Sequence, residues 1–354
     1  MTEPTTAPKL TAKDFASDQE VRWCPGCGDY AILKAVQKTL ADVEAKTENT
    51  VFVSGIGCAS RFPYYMATYG FHAIHGRAPA IATGMKLANP NLDVWIVSGD
   101  GDALSIGGNH FVHLVRRNVD VQFLLFNNEI YGLTKGQFSP TSRAGTRSPS
   151  SPLGCIENPI SAAQLALGSG GYFVARAVDT AQKELTATLK RAHAFKGTSF
   201  VEIFQNCVVY NDDAFAAFTA KDKAADMQIH VEHGKPLSFG KDLNKGLRIK
   251  PGALALEVVT IGENGISEND ILVHNETDKM LACLLADMNE PEFPVAMGVL
   301  YCKQGHIFEV EIRKMVERET ANATCNLNDV LRQGHTWTVT DSDADTGSDT
   351  NAGE

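Results

Sequence analysis

No run of 18 or more apolar residues occurs in this chain of 354, which excludes a membrane-spanning helix. No apolar signal segment opens it either, so a cytoplasmic protein with reduced thiols is expected. An excess of positive charge is also missing: 32 Lys and Arg stand against 42 Asp and Glu, a formal net charge of −10. Without a basic run to offset that balance, neither nucleic acid nor an anionic membrane is an expected partner. Among the eight cysteines, Cys24 and Cys27 form a close pair, whereas Cys58, Cys155, Cys207, Cys283, Cys302 and Cys325 are single and scattered. A disulfide scaffold does not suit reduced thiols, and a zinc site built from two close pairs lacks its second pair. At 44% hydrophobic and 21% charged residues, the composition is that of an ordinary globular chain.

What is present is concentrated in Ser98-Gly-Asp-Gly-Asp102 and in Phe126-Asn-Asn-Glu-Ile-Tyr-Gly132. Asp93-Val-Trp-Ile-Val-Ser98 and Asp120-Val-Gln-Phe-Leu-Leu-Phe126 read as buried strands leading into them. Between the strands, Leu104, Ile106, Phe111, Leu114 and Val115 have the spacing of an amphipathic helix over Ala103 to Asn118. Such a crossover in a parallel sheet is right-handed, so both strand ends face the edge where doubly wound folds bind ligands. Asp100 and the Asn128 amide oxygen, with a main-chain carbonyl near Ile130, then form an oxygen set suited to Mg²⁺ bridging a diphosphate. Gly99 and Gly101 let the backbone approach the anion at a helix start. This pattern is similar to the thiamine diphosphate motif, Gly-Asp-Gly followed about thirty residues later by Asn.

Cys24-Pro-Gly-Cys27 is a tight turn aiming two sulfurs at one point, which leaves zinc, a redox dithiol or an iron–sulfur cluster open. Asp18-Gln-Glu-Val-Arg-Trp23 is a poor central strand, which disfavours a thioredoxin-like motif although a helix follows from Asp29. A cluster accepts ligands from separate loops. Cys58, after Val51-Phe-Val53, and Cys207, after Phe200-Val-Glu-Ile-Phe204, are the best candidates for the remaining two.

Taken in order from Ser17 to Phe215, the blocks beginning at Trp23, Gly55, His75, Ala82, Gly99, Gly107 and Asn127, closed by the isolated Cys207, resemble the β subunits of the 2-oxoacid:ferredoxin oxidoreductases. The likeness is to the 2-oxoglutarate type. It implies an α/β thiamine diphosphate-binding fold of the pyrophosphate type, a mainly parallel sheet sandwiched by helices, with a C-terminal extension. By the same resemblance Cys24, Cys27, Cys58 and Cys207 hold one [4Fe–4S] cluster, and Asp100, Asn128 and the Ile130 carbonyl hold Mg²⁺. Ile56, Gly57, Cys58, Ala59, His75, Gly101, Asp102, Gly132 and Leu133 match positions touching thiamine diphosphate. Ala59 departs from the Ser more often expected there, a modest loss of about 1 kcal/mol for one hydrogen bond.

The implied reaction is oxidative decarboxylation of 2-oxoglutarate with coenzyme A to succinyl-CoA and CO₂, with ferredoxin as electron acceptor, reversible as reductive carboxylation. His75 and Lys135 are the expected catalytic residues, Lys135 through its association with substrate choice in the family. The loop from Leu133 to Arg147 carries Lys135, Arg143 and Arg147 and no acidic residue, so a second substrate carboxylate could bind there. The glutamate that activates the thiamine aminopyrimidine has no counterpart in the chain and implies an α subunit, in an αβ or α₂β₂ assembly. Residues 1–15 are expected as a mobile arm, 16–226 as the cofactor domain, 227–337 as the extension and 338–354 as a disordered tail. Cys155, Cys283, Cys302 and Cys325 are expected as small buried hydrophobes. Three rivals stay in view: pyruvate as substrate, a non-redox thiamine decarboxylase or synthase, and a scaffold subunit without catalysis.

Overall fold

The computed structural model describes residues 9–321 and 326–339. Residues 1–8 of the expected arm, Cys325, and the expected tail beyond its first two residues lie outside that range. The described chain up to Val310 forms one compact unit, and from Glu311 it forms a second. The second contains the helix Leu327–Leu331, whose N-cap Asn326 side chain accepts from the amides of Asn328 and Asp329. No described helix is long and apolar enough to cross a membrane.

In chain order the strands are β1 (Thr50–Ser54), β2 (Tyr69–His72), β3 (Asp93–Gly99) and β4 (Gln122–Asn127). A two-stranded hairpin of β5 (Ile130–Tyr131) and β6 (Gln137–Phe138) follows, then β7 (Phe173–Val178), β8 (Ser199–Phe204) and β9 (Gln228–Val231). A small antiparallel sheet of β10 (Ser238–Phe239), β11 (Lys245–Ile249) and β12 (Leu256–Thr260) precedes β13 (Val295–Cys302). The main sheet runs β2-β1-β3-β4-β8-β7-β13-β9. Its first six strands are parallel; β13 is antiparallel to β7, and β9 is parallel to β13.

The apolar runs of β3, β4, β7 and β8 are buried on both faces, as strands between two helical layers must be. Alternate residues serve opposite layers. Val51, Val53, Phe123 and Leu125 share a core with Phe111 and Leu114, while Phe52, Leu124 and Phe126 share another with Ile32, Val36 and Leu189. The helices of the first layer are α2 (Ala78–Ala88), α4 (Gly108–Arg117) and α5 (Ala162–Gly168); α1 (Asp29–Asp42) and α6 (Gln182–Ala194) form the other. The short α3 (Asp100–Leu104) starts directly at the end of β3.

Three differences from the sequence reading have physical causes. The single helix expected over Ala103 to Asn118 is α3 and α4, broken where Ser105 leaves helical geometry at ψ −106°. The turn at Gly76 packs against that break so closely that a Cβ on Gly76 would lie 2.5 Å from the Gly107 nitrogen. Within the arm, Ala12–Phe15 is a 3₁₀ turn whose Phe15 is fully buried, and the Phe15 carbonyl accepts from the Ala67 amide at 2.9 Å. The stretch from 227 returns to the main sheet through β9 and β13, because Val295-Ala-Met-Gly-Val-Leu-Tyr301 is apolar enough to be buried as an inner strand.

Arg176 on β7 and Glu202 on β8 face each other in register and pair at 2.8 Å, both about 5% exposed or less. Glu202 also accepts from the Asn127 side chain at 2.9 Å. Arg176→Ala leaves that carboxylate buried and unpaired, and should cost about 3–5 kcal/mol of unfolding free energy in urea. Arg176→Met combined with Glu202→Leu should cost clearly less.

Candidate active site

The parallel register sets the geometry. Gly99 pairs with Phe126 and Asn127 with Phe204, so the residues that leave these three strands, Asp100, Asn128 and Gln205, emerge side by side. Asp100 is buried, and its Oδ2 accepts from the Ser139 hydroxyl at 2.5 Å and the Thr141 hydroxyl at 2.6 Å. Burial pushes its carboxyl above the usual range, and the two hydroxyls only partly oppose this. Ser142 completes the strap by donating to the Glu129 carbonyl at 2.5 Å. Ser139 and Thr141, which hold the Asp100 carboxylate, are residues that sequence reasoning missed. The signal was there in the hydroxyl-rich Ser139-Pro-Thr-Ser142, which reads as ordinary loop until its return to Asp100 is seen.

Asn128 is oriented by two contacts. Its Nδ2 donates to Gln205 Oε1 at 2.8 Å, and its Oδ1 accepts from the Ile130 amide at 3.2 Å. Ile130 is buried in the β5–β6 hairpin. The Tyr131 hydroxyl donates to the Gly101 carbonyl at 2.9 Å, and a Cβ on Gly101 would lie 2.3 Å from the Tyr131 ring. Gly101 is therefore required by ring packing as well as by its place at the strand end.

Asp102 is expected beside the cofactor, but its carboxylate is buried and turned into the protein. Oδ1 accepts from the Ile56 amide at 3.1 Å and the Gly76 amide at 2.7 Å, and lies 2.7 Å from His75 Nδ1. Oδ2 accepts from Ser98 at 2.5 Å. One side chain thus fixes the start of the Ile56-Gly57-Cys58 loop and the His75-Gly76 turn. Gly55 leaves room for it, since a Cβ there would lie 2.0 Å from Oδ2. The half-exposed His75 ring lies against this carboxylate, with Nδ1 2.7 Å from Oδ1. Gly57 has φ +127°, which favours glycine, and Ala59 is buried at the start of the 3₁₀ helix Ala59–Tyr65, packed with the aromatic core.

Cys24, Cys27, Cys58 and Cys207 line a single cavity of about 230 Å³, together with Asn128, Gly132, Leu133, Lys135 and Gln205. A Cβ on Gly132 would lie 3.5 Å from the sulfurs of both Cys58 and Cys207. Burial, reinforced by the Asp29 carboxylate, pushes the Cys58 thiol up to about 11 and the Cys27 thiol higher still. Asp29 is itself wholly buried and raised to about 7. Among the described residues, no three His, Cys, Asp or Glu converge tightly enough to hold a single metal ion. Cys155, Cys283 and Cys302 lie elsewhere and are buried or half-buried.

Of the basic residues in the following loop, Lys135 lines the cysteine cavity, with its backbone in the left-handed region at φ +77°. Arg143 does not offer a free cation: it pairs with Glu129 at 3.1 Å and with Glu290 at 2.6 Å. Burial lifts Glu129 to about 7 against the pull of Arg143. The expected acid-free loop is correct as sequence, but Glu129 and Glu290 reach Arg143 from outside it.

Residues 55–203 match the family described as thiamine pyrophosphate enzyme, C-terminal TPP binding domain. The chain is 45% identical over 342 residues to the 2-oxoglutarate oxidoreductase subunit KorB of Mycobacterium tuberculosis, spanning 95% of this chain and 90% of that one. It is 49% identical over 196 residues to the β subunit of 2-oxoacid:ferredoxin oxidoreductase 1 of Aeropyrum pernix, spanning 55% and 62% of the two. Among solved structures, the 2-oxoglutarate:ferredoxin oxidoreductase from Magnetococcus marinus with 2-oxoglutarate, coenzyme A and succinyl-CoA bound superposes with a TM-score of 0.74 at 30% identity, over 94% of this chain and 98% of that one.

Asp102→Ala removes both acceptor oxygens from two amides and a hydroxyl. It should cost about 1–3 kcal/mol of stability and accelerate hydrogen exchange at the Ile56 and Gly76 amides. Unchanged protection at both would show that Asp102 does not hold these loops.

Proposed function

The chain belongs to the β subunits of the 2-oxoacid:ferredoxin oxidoreductases, CoA-acylating enzymes, and from that membership we propose that it carries thiamine diphosphate, Mg²⁺ and one [4Fe–4S] cluster and acts on 2-oxoglutarate. In this reading 2-oxoglutarate and coenzyme A give succinyl-CoA and CO₂, ferredoxin is reduced, and the reaction reverses as reductive carboxylation. One observation carries it: the cavity lined by the four cysteines shares Asn128 with the Asp100 edge, so a one-electron acceptor and the diphosphate site are neighbours.

The residues present fit both groups. Asp100 is a buried carboxylate destabilised by its surroundings, and a divalent cation would offset that cost. The Asn128 amide oxygen and the Ile130 carbonyl are its companions. Four thiols lining one cavity of about 230 Å³ leave room for a cluster of several atoms. Thiamine supplies stabilisation of the carbanion left after CO₂ departs, and the cluster supplies one-electron acceptance.

The chain's own residues do the positioning. Asp102 sets the Ile56-Gly57-Cys58 loop and the Gly76 turn beside His75, whose ring would hydrogen-bond the reacting end. Ala59 anchors the end of that loop in the aromatic core, Gly101 makes room for the Tyr131 ring at the strand end, and Gly132 and Leu133 line the cavity with the cysteines. Lys135 at the cavity rim would meet the second carboxylate of 2-oxoglutarate. An α subunit brings the pyrimidine-side glutamate. The exposed Tyr69, Phe71, Ile74 and Ile106 near His75 support a protein partner at this edge.

Two measurements test this. Anaerobic co-expression with the α subunit should yield about four irons and one thiamine per chain, with coenzyme A-dependent dye reduction by 2-oxoglutarate. Thiamine without iron would instead place the protein with the non-redox decarboxylases. Lys135→Ala should shift turnover from 2-oxoglutarate toward pyruvate, and an unchanged ratio of the two would remove Lys135 from substrate choice.

A further inference from the structure

Gln205 is the first residue after β8 and is almost wholly buried. Its side-chain amide is fully used. Oε1 accepts from Asn128 Nδ2 at 2.8 Å, and Nε2 donates to the Asn206 carbonyl at 2.5 Å and to Cys27 Sγ at 3.3 Å. An amide has two donor hydrogens, and both have partners here. Only one orientation of the Gln205 amide satisfies all three contacts. One side chain therefore touches both a residue of the diphosphate edge and a residue of the cysteine cavity.

The consequences differ at the two ends. At Asn128 the contact selects which end of an ambiguous side chain faces the cation. With Nδ2 held by Gln205, the oxygen is left for coordination, and the Ile130 amide occupies only one of its two lone pairs. At Cys27 an N–H···S hydrogen bond stabilises negative charge on sulfur. Hydrogen bonds to the sulfurs are among the determinants of cluster potential, and a one-electron reduction adds one negative charge to the four-thiolate site, which the bond favours.

We propose that Gln205 is a positioning residue for both centres, fixing the Asn128 oxygen toward the Mg²⁺ site and raising the reduction potential of the cluster through its bond to Cys27. This rests on the proposed function. The backbone supplies the reason that this position was chosen: Asn127 pairs with Phe204, and the Gln205 amide donates to the Asn127 carbonyl at 2.9 Å, so the residue after β8 is locked beside Asn128.

The test uses the co-expressed αβ holoenzyme and two substitutions. Gln205→Glu keeps an acceptor for Asn128 but loses the donor to Cys27; Gln205→Met removes both at similar length. An EPR-monitored redox titration should place the cluster midpoint lower in both variants, by about 59 mV, a tenfold change in reduced fraction at fixed poise for one electron. Mn²⁺ EPR in the presence of thiamine diphosphate should show cation affinity within about twofold of wild type for Gln205→Glu and about tenfold weaker for Gln205→Met, the loss of one hydrogen bond. A merely structural role would lower iron content while leaving the midpoint of the remaining cluster in place, and an unchanged midpoint in both variants overturns the proposal. A wild-type enzyme without a cluster signal would instead overturn the reading on which it rests, before any variant is made.

Discussion

The parallel pairing of β3, β4 and β8 is the constraint on which the site depends. Because Gly99 stands opposite Phe126 and Asn127 opposite Phe204, three strands end together and deliver Asp100, Asn128 and Gln205 to one edge. A side-chain period of two makes this register unforgiving: a slip by one residue would turn Val97, Phe126 and Ile203 away from their core and break both layers. The helical packing on the two faces thus holds the functional edge in place. Phe111 stacks edge-on against Phe123 and Phe200 at 5.3 and 5.2 Å on one face, and Phe52, Phe62 and Phe126 pack on the other.

Burying charge at such an edge costs free energy unless each group is satisfied, and the structure meets this with a continuous polar chain. Arg176 pairs with Glu202, Glu202 accepts from Asn127, the Asn127 oxygen lies 3.0 Å from the Thr141 hydroxyl, and that hydroxyl gives its single proton to Asp100. Asp102, two residues on, is satisfied separately by two amides and a hydroxyl. The two carboxylates of Gly-Asp-Gly-Asp therefore have different duties. Asp100 keeps a raised proton affinity, while the Asp102 carboxylate ties the Ile56 and Gly76 amides to Ser98.

Most of this edge was legible in the sequence because its elements are local. Apolar runs ending in Gly-Asp-Gly and Asn-Asn announce strands that end at a site, and the order of the motifs indicated the family. What could not be read depends on contacts between distant segments. Nothing local says that Ser139 and Thr141 return to Asp100, that Glu290 comes to Arg143 from far along the chain, or that Asp102 points inward. The helix break at Ser105 is similar, since it depends on the Gly76 turn packing against Gly107. The strand from Val295 shows alternation too weak to assign its sheet, because a strand buried on both faces has no polar face to display.

The same long-range contacts determine how firmly the two halves of the site are held relative to each other. The loop bearing Cys58 is tied at both ends, by the Ile56 amide on Asp102 and by the Trp23 indole, which donates to the Cys58 carbonyl at 2.7 Å. Gly132 stands against both cysteines, where a Cβ would be in van der Waals contact with the Cys58 and Cys207 sulfurs at 3.5 Å. Gln205 and Cys207 follow β8 within three residues, so the strand that aligns Asn128 also delivers a cysteine. Through Gln205, which bonds both Asn128 and Cys27, the cavity and the Asp100 edge share buried hydrogen bonds, which holds them at a fixed separation.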